Sequence, residues 1–142
     1  MKNFVAKLGF VVNLCVLIAF AIAGPMIVQG WRQARALPKV FPAYAQALIN
    51  KDPKSAYAFV SPEFANAMSY AEFIAQQQII ENRCGDLKTV REGYTTVAGH
   101  GKPMHWVGQV NATLVFSRGE MKMLYEFHLE NSQWRLFGYK EL

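Results

Sequence analysis

The side chains available for chemistry are ten carboxylates, three histidines and two cysteines. Acid–base catalysis in a small pocket needs a carboxylate, often beside a histidine or tyrosine, aimed into a cavity that tunes its pKa. Nine of the ten have another use. Asp52, Glu63 and Glu72 stand at helix starts, Glu81, Asp86, Glu120 and Glu141 at element ends or turns, and Glu126 and Glu130 on the outer face of a strand. Glu92 alone is left to point inward. Its strand sets Val90, Glu92 and Tyr94 on one side and Leu87, Thr89 and Arg91 on the other, so neither side is cleanly apolar. His100, His105 and Cys84 would make three zinc ligands where a closed structural site takes four, at a spacing that matches no such site. They read as two loop histidines and a small apolar cysteine. Cys15 lies in the apolar amino-terminal run, so no disulfide can form within the domain. The sequence has no glycine-rich phosphate loop, no G-x-S-x-G and no H-E-x-x-H. It therefore assigns no catalytic residue, no metal and no cofactor.

The elements that would position a site begin at the membrane. Leu8 to Trp31 is 24 residues without a charge, and a helix rising about 1.5 Å per residue needs roughly 20 to cross the hydrocarbon of a bilayer. Residues 1–38 read as a single-pass anchor with its flank, carrying Asn13 and a Gly24-Pro25 pair that kinks a helix. The competing reading is a signal peptide cut after Ala21-Ile22-Ala23; Met26, Ile27, Val28 and Trp31 continue the apolar run past that point and favour retention. Flanking positive charges balance, and the signal-like order of the first 23 residues places the domain outside the cytoplasm. Of the formal charge of +5, Lys2, Lys7, Arg32 and Arg35 supply four. Residues 39–142 are almost neutral, with basic residues scattered rather than striped, which excludes a nucleic-acid partner.

In residues 39–142, Phe41, Tyr44, Ala45, Leu48 and Ile49 mark one face of an amphipathic helix. Asp52-Pro53, Ser61-Pro62-Glu63 and Ser69-Tyr70-Ala71-Glu72 are helix-start signals, predicting two short helices and a longer one over about Tyr70 to Asn82. That helix buries Phe73, Ile74, Gln77 and Ile80 and ends at Gly85.

The second half alternates as strands. A turn at Arg118-Gly119 would pair Phe116 with Met121, Leu114 with Met123, Ala112 with Tyr125, Val110 with Phe127 and Gly108 with Leu129, all on one apolar face. A second turn at Asn131-Ser132 would add Trp134 opposite Leu129, Leu136 opposite Phe127 and Gly138 opposite Tyr125. With a first strand at Leu87 to Val97 and a loop at Ala98 to Met104, the expectation is an α+β domain: three to four helices packed on a curved four-stranded antiparallel sheet.

This order of helices and strands, with starts at Asp52-Pro53 and Ser61-Pro62 and a terminal strand Gln133-Trp134-Arg135-Leu136-Phe137-Gly138-Tyr139, resembles the nuclear transport factor 2-like superfamily over about Phe41 to Leu142. It looks most like small membrane-tethered or exported bacterial members of unassigned function. The resemblance implies a cone-shaped sheet around a pocket, in a superfamily holding isomerases and dehydratases as well as binding and assembly modules. No enzymatic member's catalytic set transfers to residues here. Gln77, Trp106, Gly108, Ala112, Tyr125, Trp134 and Gly138 are the expected pocket lining, suited to an apolar or aromatic ligand. Val115, Leu124, Phe137 and Tyr139 are the expected interface on the outer sheet face, for a membrane-protein partner or a second copy. The reading that results is a membrane-anchored, non-enzymatic accessory or assembly subunit of a membrane or envelope complex; an exported ligand-binding domain and an isomerase- or dehydratase-like enzyme follow it.

Overall fold

A computed structural model of the chain describes residue 28, residue 32, and residues 35–37, 39–101 and 104–142. Nearly all of the expected anchor, including Asn13, Cys15 and Gly24-Pro25, lies outside them. Among the described residues no helix is long and apolar enough to cross a membrane. The chain divides into two units, Met1–Gln33 and Ala34–Leu142. The second is an α+β domain in which helices precede a four-stranded antiparallel sheet of order β1-β2-β3-β4.

Helix α1, residues 39–49, buries Phe41, Tyr44 and Ala45 of the face its spacing predicts and leaves Leu48 and Ile49 half-buried, while Ala47 is buried in addition. The domain begins earlier than expected, because residues 35–37 are also helical and Leu37 is wholly buried in the core. Lys51, at φ 55°, breaks the chain before α2, Pro53–Tyr57. Each later helix starts on its predicted cap. Asp52 accepts from the Ser55 N–H, and Ser61 accepts from the Phe64 N–H at the head of α3, Pro62–Ala67. Ser69 and Glu72 exchange backbone-to-side-chain bonds at the head of α4, Tyr70–Cys84. Gly85 ends α4 at φ 83°, ψ −165°, a region open to glycine almost alone.

The strands are β1, Leu87–His100; β2, His105–Phe116; β3, Gly119–Glu130; and β4, Gln133–Glu141. Buried and half-exposed residues alternate along β2 and β3, with Val110, Ala112, Leu114, Phe116, Met121, Met123, Tyr125 and Phe127 on the helix side. The face assignment in these two strands is the predicted one, but the pairing is not. The turn is Ser117-Arg118, one residue earlier than expected, so Phe116 faces Gly119, Ala112 faces Met123 and Gly108 faces Phe127. The cause is tertiary. Ser117 N–H donates to the Asp86 carbonyl and Arg118 N–H to the Cys84 carbonyl, while the Arg118 guanidinium donates to the carbonyls of Glu81 and Asn82. The turn is thus moulded on the end of α4 and occupies its open carbonyls. Because the shift is by two residues, every side chain keeps its face.

At β4 a one-residue irregularity does change faces. Leu129 faces Trp134 and Phe127 faces Leu136 as predicted, but Glu126 then faces Gly138 and Tyr125 faces Tyr139. Phe137 is the extra residue of a bulge, so beyond it the alternation is inverted. The first strand is longer than expected, running through Ala98, Gly99 and His100, and it carries its own irregularities between Leu87 and Thr89 and between Glu92 and Thr95. On the other margin, Val60 forms a parallel bridge to Leu136, with Ser61 N–H donating to the Leu136 carbonyl and Leu136 N–H to the Phe59 carbonyl.

Candidate functional site

The helix side of the sheet is where the expected pocket would lie, and α1 fills it. A β-carbon added at Gly108 would overlap Leu37 Cδ2 and stand 3.2 Å from Trp134 Cζ3, so the space left by this glycine is occupied by a leucine from the chain entering α1. Tyr125, almost fully buried, packs its ring 5.2 Å from Phe41 and 5.7 Å from Tyr44. Ala112 and Trp134 are buried in the same core, and Trp106 packs at its margin. Burial, and then the neighbouring Tyr125 and Tyr139, pushes the Tyr44 phenol well above its ordinary range; burial and Tyr139 do the same to Tyr125. These phenols are neutral core residues through physiological pH.

Two expected lining residues lie elsewhere. Gln77 faces a separate concavity of about 180 Å³ between the end of α1, the start of α2 and α4, together with Leu48, Lys51, Pro53 and Ile74. Gly138 is on the outer face, where a β-carbon would meet nothing within 4 Å. The bulge at Phe137 that moves Gly138 out also brings Tyr139 in, which corrects the interface set. Tyr139 points to the helix side, its ring 6.0 Å from Tyr125 and 5.9 Å from Phe64, and its hydroxyl donates to Gln76 Oε1 at 3.0 Å.

Of the expected interface residues, Val115, Leu124 and Phe137 keep the outer face. Leu124 and Phe137 border a shallow concavity of about 310 Å³ with Gln109, Glu126, Gly138 and Lys140, and Tyr139 still contributes to its lining although its ring lies on the helix side. Phe137 is 38% exposed and lies flat against the His128 ring, centroids 3.9 Å apart at 8°. His128 Nε2 is 3.0 Å from Glu126 Oε1, and Gln109 Nε2 donates to Glu126 Oε2 at 3.1 Å. Asn111, opposite Leu124, has a buried Nδ2 without a hydrogen-bond partner. An exposed aromatic held by a stacked ring beside a polar rim has the makeup of a contact surface. The interface set drawn from the sequence leaves out Gln109, Asn111, Glu126, His128 and Lys140; strand alternation already sets the first four on the outer face, and only Lys140 is turned there by the bulge.

The catalytic alternative gains no geometry. Glu92 is exposed and accepts from Thr95 Oγ1 at 3.0 Å, and Tyr94 beside it is 68% exposed. Among the described residues no three histidine, cysteine, aspartate or glutamate side chains gather as metal ligands. His100 and His105, expected in a loop, are the closing pair of the β1–β2 ladder instead.

No family model matches the sequence, and no curated protein matches it. Among solved structures, one from Campylobacter jejuni, provisionally named a nuclear transport factor 2-like transpeptidase, superposes on 71% of this chain and 97% of its own with a TM-score of 0.51 at 13% identity. The fold is nuclear transport factor 2-like. That likeness concerns architecture alone: at such identity, a nuclear transport factor 2-like sheet and helices carry no activity from one chain to another.

Proposed function

We propose that this chain is a non-enzymatic interaction domain, tethered to the membrane by residues 1–38 and working as an accessory or assembly subunit of a membrane or envelope complex through the outer sheet face. It is then one of the small, membrane-tethered nuclear transport factor 2-like proteins, with the domain on the extracytoplasmic side. The observation that carries this reading is the contrast between the two sides of the sheet. Leu37, Phe41 and Tyr44 fill the helix side, whereas the outer side presents Phe137 over a concavity with Leu124, Gln109 and Lys140. Its occupant is a membrane-protein partner or a second copy.

The test is purification of the native full-length protein in mild detergent, with mass analysis of its amino terminus and of the assembly. The expected result is an intact Met1 in a stoichiometric complex or homodimer that Phe137→Glu dissociates while leaving thermal unfolding in place. A lone monomer, or a chain beginning at Gly24, overturns it. A ligand-carrier reading draws on a different observation: Ala36, Val40, Phe59, Trp134 and Arg135 line a largely apolar concavity of about 370 Å³. Thermal stabilisation by a lipid or aromatic compound, lost in Trp134→Leu, would establish it. The transpeptidase named for the Campylobacter jejuni structure stands last, since the likeness to it rests on 13% identity and concerns the fold alone.

A further inference from the structure

His100 and His105 face each other directly at the end of the β1–β2 ladder. Directly opposed residues on an antiparallel pair have β-carbons about 5 Å apart, so their side chains leave the same face together. Both histidines are solvent-exposed, and their ring centroids are 6.3 Å apart with an interplanar angle of 43°. An ion held about 2 Å from one nitrogen of each ring sets the two centroids roughly 4.5 to 6.5 Å apart as the bond angle opens from right to straight. The observed spacing stands at the straight-angle end of that range, so a bent chelate asks the two exposed side chains to turn toward each other.

The hairpin end is braced from the opposite face. A β-carbon added at Gly99 would stand 2.8 Å from Met104 Sδ and 3.1 Å from Trp106 Cζ3. The Trp106 ring and the Met104 thioether therefore cover the neighbouring pair Gly99–Trp106, which holds the backbone under the histidines in place. Ligands carried on a rigid ladder lose little freedom when they bind.

We propose that His100 and His105 form a two-imidazole chelate for a first-row divalent cation, Cu²⁺ in preference to Ni²⁺ or Zn²⁺, with water in the remaining positions. Imidazole suits these ions, and Cu²⁺ heads the affinity order for a given nitrogen site. Because two protein ligands leave the coordination open, the bound ion exchanges with solvent rather than holding the fold together. The site is independent of the outer-face concavity at Phe137 and of the tether.

The experiment is a titration of the purified full-length protein with CuCl₂, read by quenching of tryptophan fluorescence and by electron paramagnetic resonance. The expected result is saturation at one ion per chain, with nitrogen couplings from two imidazoles. His100→Ala or His105→Ala each weakens binding by about tenfold or more, since losing a ligand outweighs losing its outer-shell support. Both substituted histidines are exposed, and unchanged thermal unfolding of the variants without metal confirms that folding is intact. Absence of saturable binding overturns the proposal, as does binding that survives either substitution or a spectrum with fewer than two imidazole nitrogens.

Discussion

Leu37 sits over Gly108, its Cδ2 in the place where a side chain at residue 108 would begin. A residue from the very start of the domain thereby seals the middle of β2, and the core depends on a fit between two positions 71 apart in sequence.

That fit can be broken from either side. Gly108→Ala overpacks the contact and should cost about 1–3 kcal/mol, and Leu37→Ala should cost about 2–5 kcal/mol by removing buried atoms and leaving a void. Denaturant unfolding measures both. The double variant should recover part of the loss, because the new methyl occupies some of the vacated space.

Among the described residues Ser61 is the one buried polar residue, and it caps α3 through the Phe64 N–H at 3.0 Å. Ser61→Ala removes that acceptor and should destabilise the domain by about 1–2 kcal/mol, while Ser61→Asn retains a capping oxygen but strains the packing. Equilibrium unfolding of the two variants separates capping from packing.

The β3–β4 turn holds Asn131 at φ 48° and Ser132 at φ 65°. Two left-handed residues define the tight turn that suits strand twist, and a non-glycine residue there carries a steric cost. Ser132→Gly should therefore stabilise the domain by about 0.5–1 kcal/mol, read as a raised denaturation midpoint at unchanged slope.

Stability should fall at both ends of the pH range. Asp52 and Glu72 are held below their ordinary values of 3.8 and 4.5, chiefly by side-chain hydrogen bonds from Ser55 and Ser69, and Asp86 is lowered by Lys51. A depressed carboxylate binds fewer protons folded than unfolded, so its contribution is present above the ordinary value and is lost as pH falls below it. Glu130, raised by burial and by Glu63, acts in the opposite direction and softens that loss. At alkaline pH the buried phenols decide. Tyr44 and Tyr125 are raised above the ordinary 10.0, so their stabilisation is full below pH 10 and drains away as pH climbs further. Tyrosinate absorbance from these two should rise only together with loss of the fold, and Tyr125→Phe should reduce the alkaline sensitivity.

What the sequence shows plainly is whatever a few neighbouring residues decide. The caps at Asp52, Ser61 and Ser69, the stop at Gly85 and the apolar face of α1 are all local chemistry, and each stands where its signal lies. Positions that depend on distant partners were not legible. Arg118 sets the β2–β3 turn by reaching the carbonyls of α4, Leu37 enters the core from beside a cluster of basic residues, and Gly99 reads as loop until Trp106 is seen across from it. The bulge at Phe137 has a single mark, the glycine at 138 inside a strand, since Leu136-Phe137-Gly138-Tyr139 otherwise alternates as a regular strand would. It alone moved Gly138 and Tyr139 to opposite faces from those expected.

The two margins of the sheet have a bearing on how these molecules behave when crowded. On β4 the backbone groups of Leu136 are already taken by Phe59 and Ser61, and β1 is broken by two register shifts between which Arg91 and Glu92 place their charges. A strand arriving from another molecule finds the middle of β4 occupied at Leu136 on one edge and an uneven, charged line on the other. Fibrous stacking, the hazard of any open sheet, is thereby discouraged, and a high local concentration of this domain should yield discrete assemblies of bounded size rather than growing ribbons.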